Sequence, residues 1–418
     1  MSLTRPALSG KRILVTGGTG FIGSRLVERL VLEENAIARV LVHNPASADR
    51  VARLPIEVVR GDVLNPADVR RALEGCELIF HCAYGTAADE TLQRLVNVEG
   101  TRNVLDAALR GGIKRVVHFS TLMVYGVTAD GDLDERARRQ YFGNSYSDSK
   151  LDAENLAFDY IRRYQLPVVI LQPTAVYGPF ALQWTFNVLA KMKTGRMILV
   201  NGGDGLRNAV YIEDVVSAAL LAAVKEEAVG EAFLISGESP DTWREFYRAF
   251  ERMLGMSDRL LSLSAADARA LYERAKKRKS VLAEMRALAA ANSDLRHRLL
   301  KTREVALALK SARRLLPAGL HCRLKSQITH LATPPLPAAG MSGEPIHLLD
   351  PGAIRFHAAK TRVRIDKAKR ILGYQPAFEF SDGIQLTERW ARWANLLGPT
   401  EPLLRQKTAG VNELPVVF

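Results

Sequence analysis

The residues most able to do chemistry are Tyr146 and Lys150, in the stretch YSDSK. Four positions apart, they share one face if the segment is helical. A tyrosine with an ordinary pKa of about 10 is a poor acid or base at neutral pH. A neighbouring ammonium stabilises the phenolate and lowers that value, so Lys150 is placed to make Tyr146 a proton carrier. The same spacing describes a solvated surface pair, and the rest of the chain has to decide between the two.

Upstream, TGGTGFIGSRL carries Gly17, Gly18, Gly20 and Gly23 where a β-branched run must turn into a helix. Gly18, Gly20 and Gly23 satisfy GxGxxG in that setting. Glycines let the backbone approach a pyrophosphate, and the free N–H groups at the positive end of the helix hold its charge. The spacing therefore predicts dinucleotide binding, against a turn that merely eases packing. NAD sites usually place an acidic residue about 20 residues further on, for the ribose 2′-hydroxyl. His43 and Asn44 stand there instead, with Arg50 and Arg53 downstream. Missing repulsion and nearby cations lean from NAD toward NADP, although the two arginines also fit a solvated helix face.

The elements that would position these groups are legible as seven short apolar runs, KRILVTG, ARVLVHN, IEVVRGD, ELIFHCA, RVVHFST, VVILQPT and EAFLISG, with helical segments between them. Near-continuous apolar runs suit strands buried on both faces of a parallel sheet. The pattern predicts an α/β fold with a doubly wound parallel sheet of Rossmann type. The expected division is a dinucleotide-binding domain over 10–178 and 207–238. A smaller, mainly helical substrate domain takes 179–206 and 239–395, with a basic helical insertion at 257–350 and a tail at 396–418. The Pro-, Gly- and Ala-rich stretch LATPPLPAAGMSGEP reads as a loop or linker.

Further motifs follow in order: Gly61–Asp62, HCA at His81–Ala83, NVEGTRNVL from Asn97, FSTLMVYG from Phe119, LQPTAVYGP from Leu171, RNAVYIEDVV from Arg207 and RIDKAKRILGYQP from Arg364. Together with the glycines and YxxxK, this series resembles the extended short-chain dehydrogenase/reductase family, also called the NAD-dependent epimerase/dehydratase family. The resemblance covers most of the chain outside roughly 257–350. It implies that Tyr146 exchanges a proton with a substrate hydroxyl or carbonyl, that Lys150 also holds the nicotinamide ribose, that Thr121 bonds the reacting oxygen, and that Asn97 is the active-site asparagine. It further implies a cofactor site formed by Gly17, Gly18, Gly20, Phe21, Ile22, Gly23, His43, Asn44, Arg50, Asp62, Val63, Cys82, Ala83, Tyr84, Pro173, Thr174, Ala175 and Val176. Bland readings stand beside these: Thr121 ending a strand, Asn97 as a polar helix position, Asp62 in an ordinary turn.

The family's sugar 4,6-dehydratases carry Asp-Glu directly after the threonine, as acid and base for eliminating water. Here those positions are Leu122 and Met123, which exchange no protons, so that elimination is not expected. Arg207 lies where nucleotide-sugar epimerases set an arginine on the substrate diphosphate, and Met123 and Arg207 are the expected substrate contacts. A nucleotide-sugar epimerase is thus the leading reading. Thr174, where many sugar enzymes carry Asn, and the wording QPTAVYGP fit a ketone or aldehyde reductase or a hydroxysteroid dehydrogenase-like enzyme, and Arg207 then fits a structural ion pair. A dinucleotide-binding protein without catalysis is the remaining class.

Composition bounds the rest. The chain has 418 residues, 47% hydrophobic and 25% charged, the profile of an ordinary globular protein. The first residues lack a signal-peptide pattern and no run of about 18 apolar residues suggests a membrane span. Three cysteines without a CxxC pair suit a reducing cytoplasm, and the eight histidines show no metal spacing, so no metal is expected. Of the net charge of +13, residues 257–326 hold 17 Lys and Arg against 6 Asp and Glu. That segment fits a surface for an anionic partner, such as a lipid-linked glycan, an acidic polymer or an anionic membrane. It equally fits solvated helices or a homodimer contact. No nucleic-acid module is visible.

Overall fold

The structure, a computed structural model, describes residues 6–85, 89–126, 130–277, 338–339 and 345–397. Most of the basic insertion and the tail from 398 lie outside the described residues.

Seven strands form one sheet: β1 (Arg12–Thr16), β2 (Ile37–Val42), β3 (Glu57–Arg60), β4 (Leu78–His81), β5 (Arg115–Phe119), β7 (Val168–Pro173) and β11 (Ala232–Ile235), in the spatial order β11-β7-β5-β4-β1-β2-β3. These are the seven apolar runs read from the sequence, and every pairing is parallel. From β1 the chain winds outward to β2 and β3, and from β4 it winds outward the other way. The reversal leaves a crevice above the carboxyl ends of β1 and β4, where ligands bind in sheets of this kind.

Alternate residues of each strand feed two cores. Ile13, Val15, Phe80, Val117, Leu171 and Phe233 pack on one face with helices α1 (Phe21–Leu32) and α6 (Ile212–Val224). Leu14, Ile79, Val116 and Ile170 pack on the other with α2 (Pro66–Leu73), α3 (Glu90–Arg110) and α4 (Ser145–Tyr164). The two long helices are fixed at their starts by side-chain caps: Asp89 accepts from the Thr91 and Leu92 amides, and Asn144 from the Ser147 amide. That capping sets where Tyr146 and Lys150 fall on α4.

Beyond Gly237 the chain is helical over α7 (Trp243–Met253), residues 265–277, α8 (Pro351–Ala358) and α9 (Phe380–Trp393). The region also holds strands that its irregular sequence does not announce. A second sheet runs β12-β9-β14-β13, from Leu260–Leu263, Arg196–Val200, Pro345–His347 and Ala338–Ala339. Two parallel pairs, β8 (Ala175–Tyr177) with β10 (Ala209–Tyr211) and β6 (Gly131–Leu133) with β15 (Thr361–Val363), tie it back to the first sheet's loops. Most of these strands have only two to four residues and lack the continuous apolar run that marks the first sheet's strands.

Candidate active site

The turn from β1 into α1 is set by two glycines. Gly17 has φ +68°, and a Cβ there would lie 2.6 Å from the Ala83 amide nitrogen and 2.7 Å from the Cys82 carbonyl carbon. A Cβ on Gly23 would lie 2.2 Å from the Gly17 carbonyl oxygen. The glycines therefore let the turn press against the chain leaving β4. Gly20 caps α1 without a side-chain bond, and the first turn has no acidic residue. Its leading N–H groups, at Phe21, Ile22 and Gly23, lack intrahelical partners and face outward with the helix dipole behind them. A dinucleotide's pyrophosphate fits this uncapped, uncharged cradle.

At the far end of the crevice Asp62 accepts from the Leu64 amide (2.9 Å) and pairs with His43 Nδ1 (3.1 Å). The neighbouring Val63 is buried. Asn44 caps a short 3-10 turn through the Ala46 amide, and Ser47 of that turn lies 3.5 Å from Thr19 Oγ1 in the glycine turn. Arg50 neither stands free nor lies on a solvated helix face. Its guanidinium covers the Phe180 ring at 4.0 Å and approaches Glu28 at 3.8 Å.

Between these poles, Thr121 and Lys150 are buried and Tyr146 half-buried. The Thr121 hydroxyl accepts from the Met123 amide (3.3 Å), capping the turn Leu122–Tyr125, and lies beside the Tyr146 phenol. Lys150 Nζ donates to the Phe119 carbonyl at 2.5 Å. Tyr84 meets Tyr146 edge-on, with ring centroids 6.3 Å apart. Asn97 donates to Ser149 Oγ (2.9 Å) and accepts from the Gly85 amide (2.9 Å), locking α3, α4 and the β4 exit together. On the opposite wall Pro173 ends β7, Thr174 bonds the Ile235 carbonyl through its amide (3.0 Å), and Ala175 and Val176 start β8. The expectation that Lys150 lowers Tyr146 finds no counterpart here. Burial pushes Tyr146 up to about 12, and the opposing pull comes from the Thr121 hydroxyl. Burial brings Lys150 down to about 8, against the pull of Glu154 and Cys82.

The sequence reading missed a polar layer beneath this group. Glu154 is fully buried yet accepts from Ser120 Oγ, from Gln172 Nε2 (2.9 and 3.0 Å) and from Arg139 Nη1 (2.8 Å). Tyr125 donates to Gln172 Oε1 (2.9 Å). The available signal was spacing: Tyr146, Lys150 and Glu154 recur every four residues along one face of α4. Beside them His81 is held between Thr16 (2.7 Å) and Thr101 (3.0 Å) and stacks on His118 with centroids 5.4 Å apart. Neither ring nitrogen of His118 has a partner among the described residues. Burial carries both imidazoles far below their ordinary range, His81 to about 3.

Arg207, expected on a substrate diphosphate or in an ion pair, makes an ion pair. Its guanidinium is fully buried, 3.4 Å from Asp241 Oδ2 and 3.5 Å from the Phe246 ring centroid, with Tyr177 and Trp184 further out. The described residues form no group of His, Cys, Asp and Glu able to hold a metal ion. None of their helices is long and apolar enough to cross a membrane.

Residues 13–236 match the model of the NAD dependent epimerase/dehydratase family. The chain is 30% identical over 243 residues to a 2-alkyl-3-oxoalkanoate reductase of Shewanella oneidensis, covering 54% of this chain and 62% of that protein. It is 35% identical over 221 residues to a putative dihydroflavonol 4-reductase of Synechocystis, covering 50% and 62%. With the dTDP-D-glucose 4,6-dehydratase of Mus musculus it shares 32% over 252 residues, covering 55% and 69%. The match thus spans less than two thirds of the first two relatives. Among solved structures, an epimerase from Methanothermobacter thermautotrophicus superposes with a TM-score of 0.64 at 20% identity, covering 93% of this chain and 95% of that one. UDP-glucuronic acid 4-epimerase from Bacillus cereus, in complex with UDP-glucuronic acid and NAD, gives 0.62 at 20%, covering 92% and 99%. At that identity the likeness is one of fold.

Proposed function

The chain belongs to the NAD dependent epimerase/dehydratase family, a family of NAD-dependent oxidoreductases, and on that premise we propose that it interconverts a secondary alcohol and a ketone on a small-molecule substrate. The observation that carries this reading is the meeting of Tyr146, Thr121 and Lys150 at the end of β5, with Lys150 bonded to the Phe119 carbonyl, beside the uncapped glycine turn. A bound dinucleotide supplies or accepts the hydride. Gly17, Gly18, Gly20 and Gly23, with the leading amides of α1, hold its pyrophosphate, and Asp62 and Val63 receive the adenosine end. Lys150 binds the ribose hydroxyls. Tyr146 delivers its proton to the carbonyl oxygen in reduction, and the phenolate so formed takes a proton from the hydroxyl in the reverse step. Thr121 donates a hydrogen bond to the same oxygen, and Tyr84 and Met123 border the substrate.

Net dehydrogenation or reduction is favoured over epimerisation of a nucleotide sugar. The observation that favours it is Arg207: the residue that pointed to a diphosphate is fully buried and paired with Asp241 among aromatic rings. The cofactor is NAD or NADP. No carboxylate at His43 and Asn44 repels a 2′-phosphate, while Arg50, a cation placed to attract one, is engaged by Phe180 and Glu28.

The test starts from freshly purified protein, denatured so that any released dinucleotide is identified by mass. An empty site, with NADH or NADPH then consumed on a 3-oxo acid, a 3-ketosteroid or a flavanonol, supports the reading. Stoichiometric retained NAD, with a UDP-hexose epimerised and no net change in cofactor, replaces it by the epimerase.

A further inference from the structure

Glu154 is a carboxylate at zero exposure one helical turn beyond Lys150, on the same face of α4. Side chains four apart on a helix have Cβ atoms about 5–6 Å apart. Each of its contacts is with a donor: the Ser120 hydroxyl, the Gln172 amide and the Arg139 guanidinium. Such a set accommodates an ionised carboxylate and leaves no lone pair stranded. Ser120 directly precedes Thr121, and Phe119, whose carbonyl receives Lys150, precedes Ser120. Phe119, Ser120 and Thr121, consecutive at the end of β5, thus lie against Lys150, Glu154 and Tyr146 in that order.

We propose that Glu154 is a positioning residue for Lys150: its carboxylate, fixed by Ser120, Gln172 and Arg139, is the countercharge that keeps the Lys150 ammonium protonated where it meets the dinucleotide. This rests on the role given to Lys150 above. An ammonium sealed from water sheds its proton unless an opposite charge is near, and Lys150 is only 5% exposed. The titratable groups facing it are few. His81 and Cys82 lie at the end of β4 and His118 on β5; Tyr146 and Glu154 share its helix. Burial keeps both histidines neutral and the Cys82 thiol protonated at ordinary pH, which leaves Glu154 as the anion of the set. Facing Glu154 itself are Tyr125, held as a neutral phenol by burial, and Arg139. Arg139 contacts one oxygen of the carboxylate at 2.8 Å from a side chain 30% exposed to water, while Lys150, one turn back on the same face of α4, is buried beside it. Burial brings Lys150 down to about 8, and the Glu154 charge is the stronger of the influences holding it up.

The test reads NADH affinity by titration calorimetry between about pH 6 and 9.5, for the wild type, Lys150→Met, Glu154→Gln and the double variant Glu154→Gln/Arg139→Met. The double variant removes both charges and retains the fold if the single one does not. In the wild type, binding weakens as pH rises through about 8, and Lys150→Met abolishes that inflection. Loss of the countercharge moves the inflection down by about one unit, so that binding is about fivefold weaker than wild type near pH 8 and equal near pH 6. Equal weakening at every pH would show that Glu154 only packs, and would overturn the proposal while leaving the role of Lys150 intact. A wild type that binds NADH with no Lys150-dependent inflection would overturn the role of Lys150, and this proposal with it.

Discussion

Tyr146 and Lys150 stand one turn apart on α4 and address the same strand end, the phenol beside the Thr121 hydroxyl and the ammonium bonding the carbonyl of Phe119. The end of β5 thus holds Lys150 directly. With its pKa at about 12, Tyr146 carries its proton across the whole neutral range.

Replacing that phenol is therefore expected to remove the proton donor and little else. Tyr146→Phe should lower kcat by about 10²–10⁴-fold, with dinucleotide affinity within about twofold of wild type, as read by absorbance kinetics and calorimetry. A variant that turns over normally would assign the proton transfer to another group.

The glycine turn makes a steric prediction. Gly23→Ala puts a methyl group 2.2 Å from the Gly17 carbonyl oxygen, a backbone atom that cannot move aside alone. The turn must open, and NADH affinity should fall by at least about tenfold. Unchanged affinity in the calorimeter would mean that the cofactor does not use this turn.

Asp241→Asn should destabilise the protein by about 3–5 kcal/mol, because it strands the Arg207 charge in an aromatic box. Arg207→Met with Asp241→Leu removes both charges and should recover most of that loss in denaturant titrations. If the double variant folds as stably as wild type but its KM rises sharply, Arg207 reaches the substrate after all.

Acid sensitivity follows from the buried imidazoles. His81, His118 and His357 have folded pKa values depressed below the ordinary 6.5, to about 3 for His81 and His357. Below about pH 6.5 the unfolded chain takes up protons that the folded one refuses, so stability is present at neutral pH and lost as pH falls toward 3. Each histidine contributes roughly 1.4 kcal/mol per pH unit in that window. Asp214, raised to about 6 by burial, works in the opposite direction, as do Glu135 and Asp241, which burial also pushes up. His118→Phe removes one of the three without breaking a hydrogen bond seen among the described residues. The fall in Tm between pH 7 and 5 should shrink by about a third to a half, and an unchanged fall would show that His118 is not a source of the effect.

The large sheet was legible because its strands, the edge strand β3 apart, are largely buried on both faces and leave continuous apolar runs, and the glycine turn because backbone approach requires its residues. Thr121, Tyr146, Lys150 and Asn97 were found by spacing and resemblance, and the fold does bring them together. Glu154 escaped because a carboxylate within a charged helix reads as solvated until the sheet residues beneath it, Ser120 and Gln172, are known. Arg207 shows the converse: its sequence position suggested a substrate contact, and its burial depends on Phe246 and Asp241, more than thirty residues away. The small second sheet was invisible because pairing, not pattern, defines strands so short.

That second sheet bears on the long basic stretch of the chain. Strands β12 and β14 lie on either side of β9 and run parallel to it, so the chain between Leu263 and Pro345 has one geometric duty, to return to the starting edge. The thirteen helical residues from 265 to 277 rise about 20 Å, more than the length of a four-residue strand. A helix of that length reaches as far as the distance along a strand that a parallel crossover has to recover.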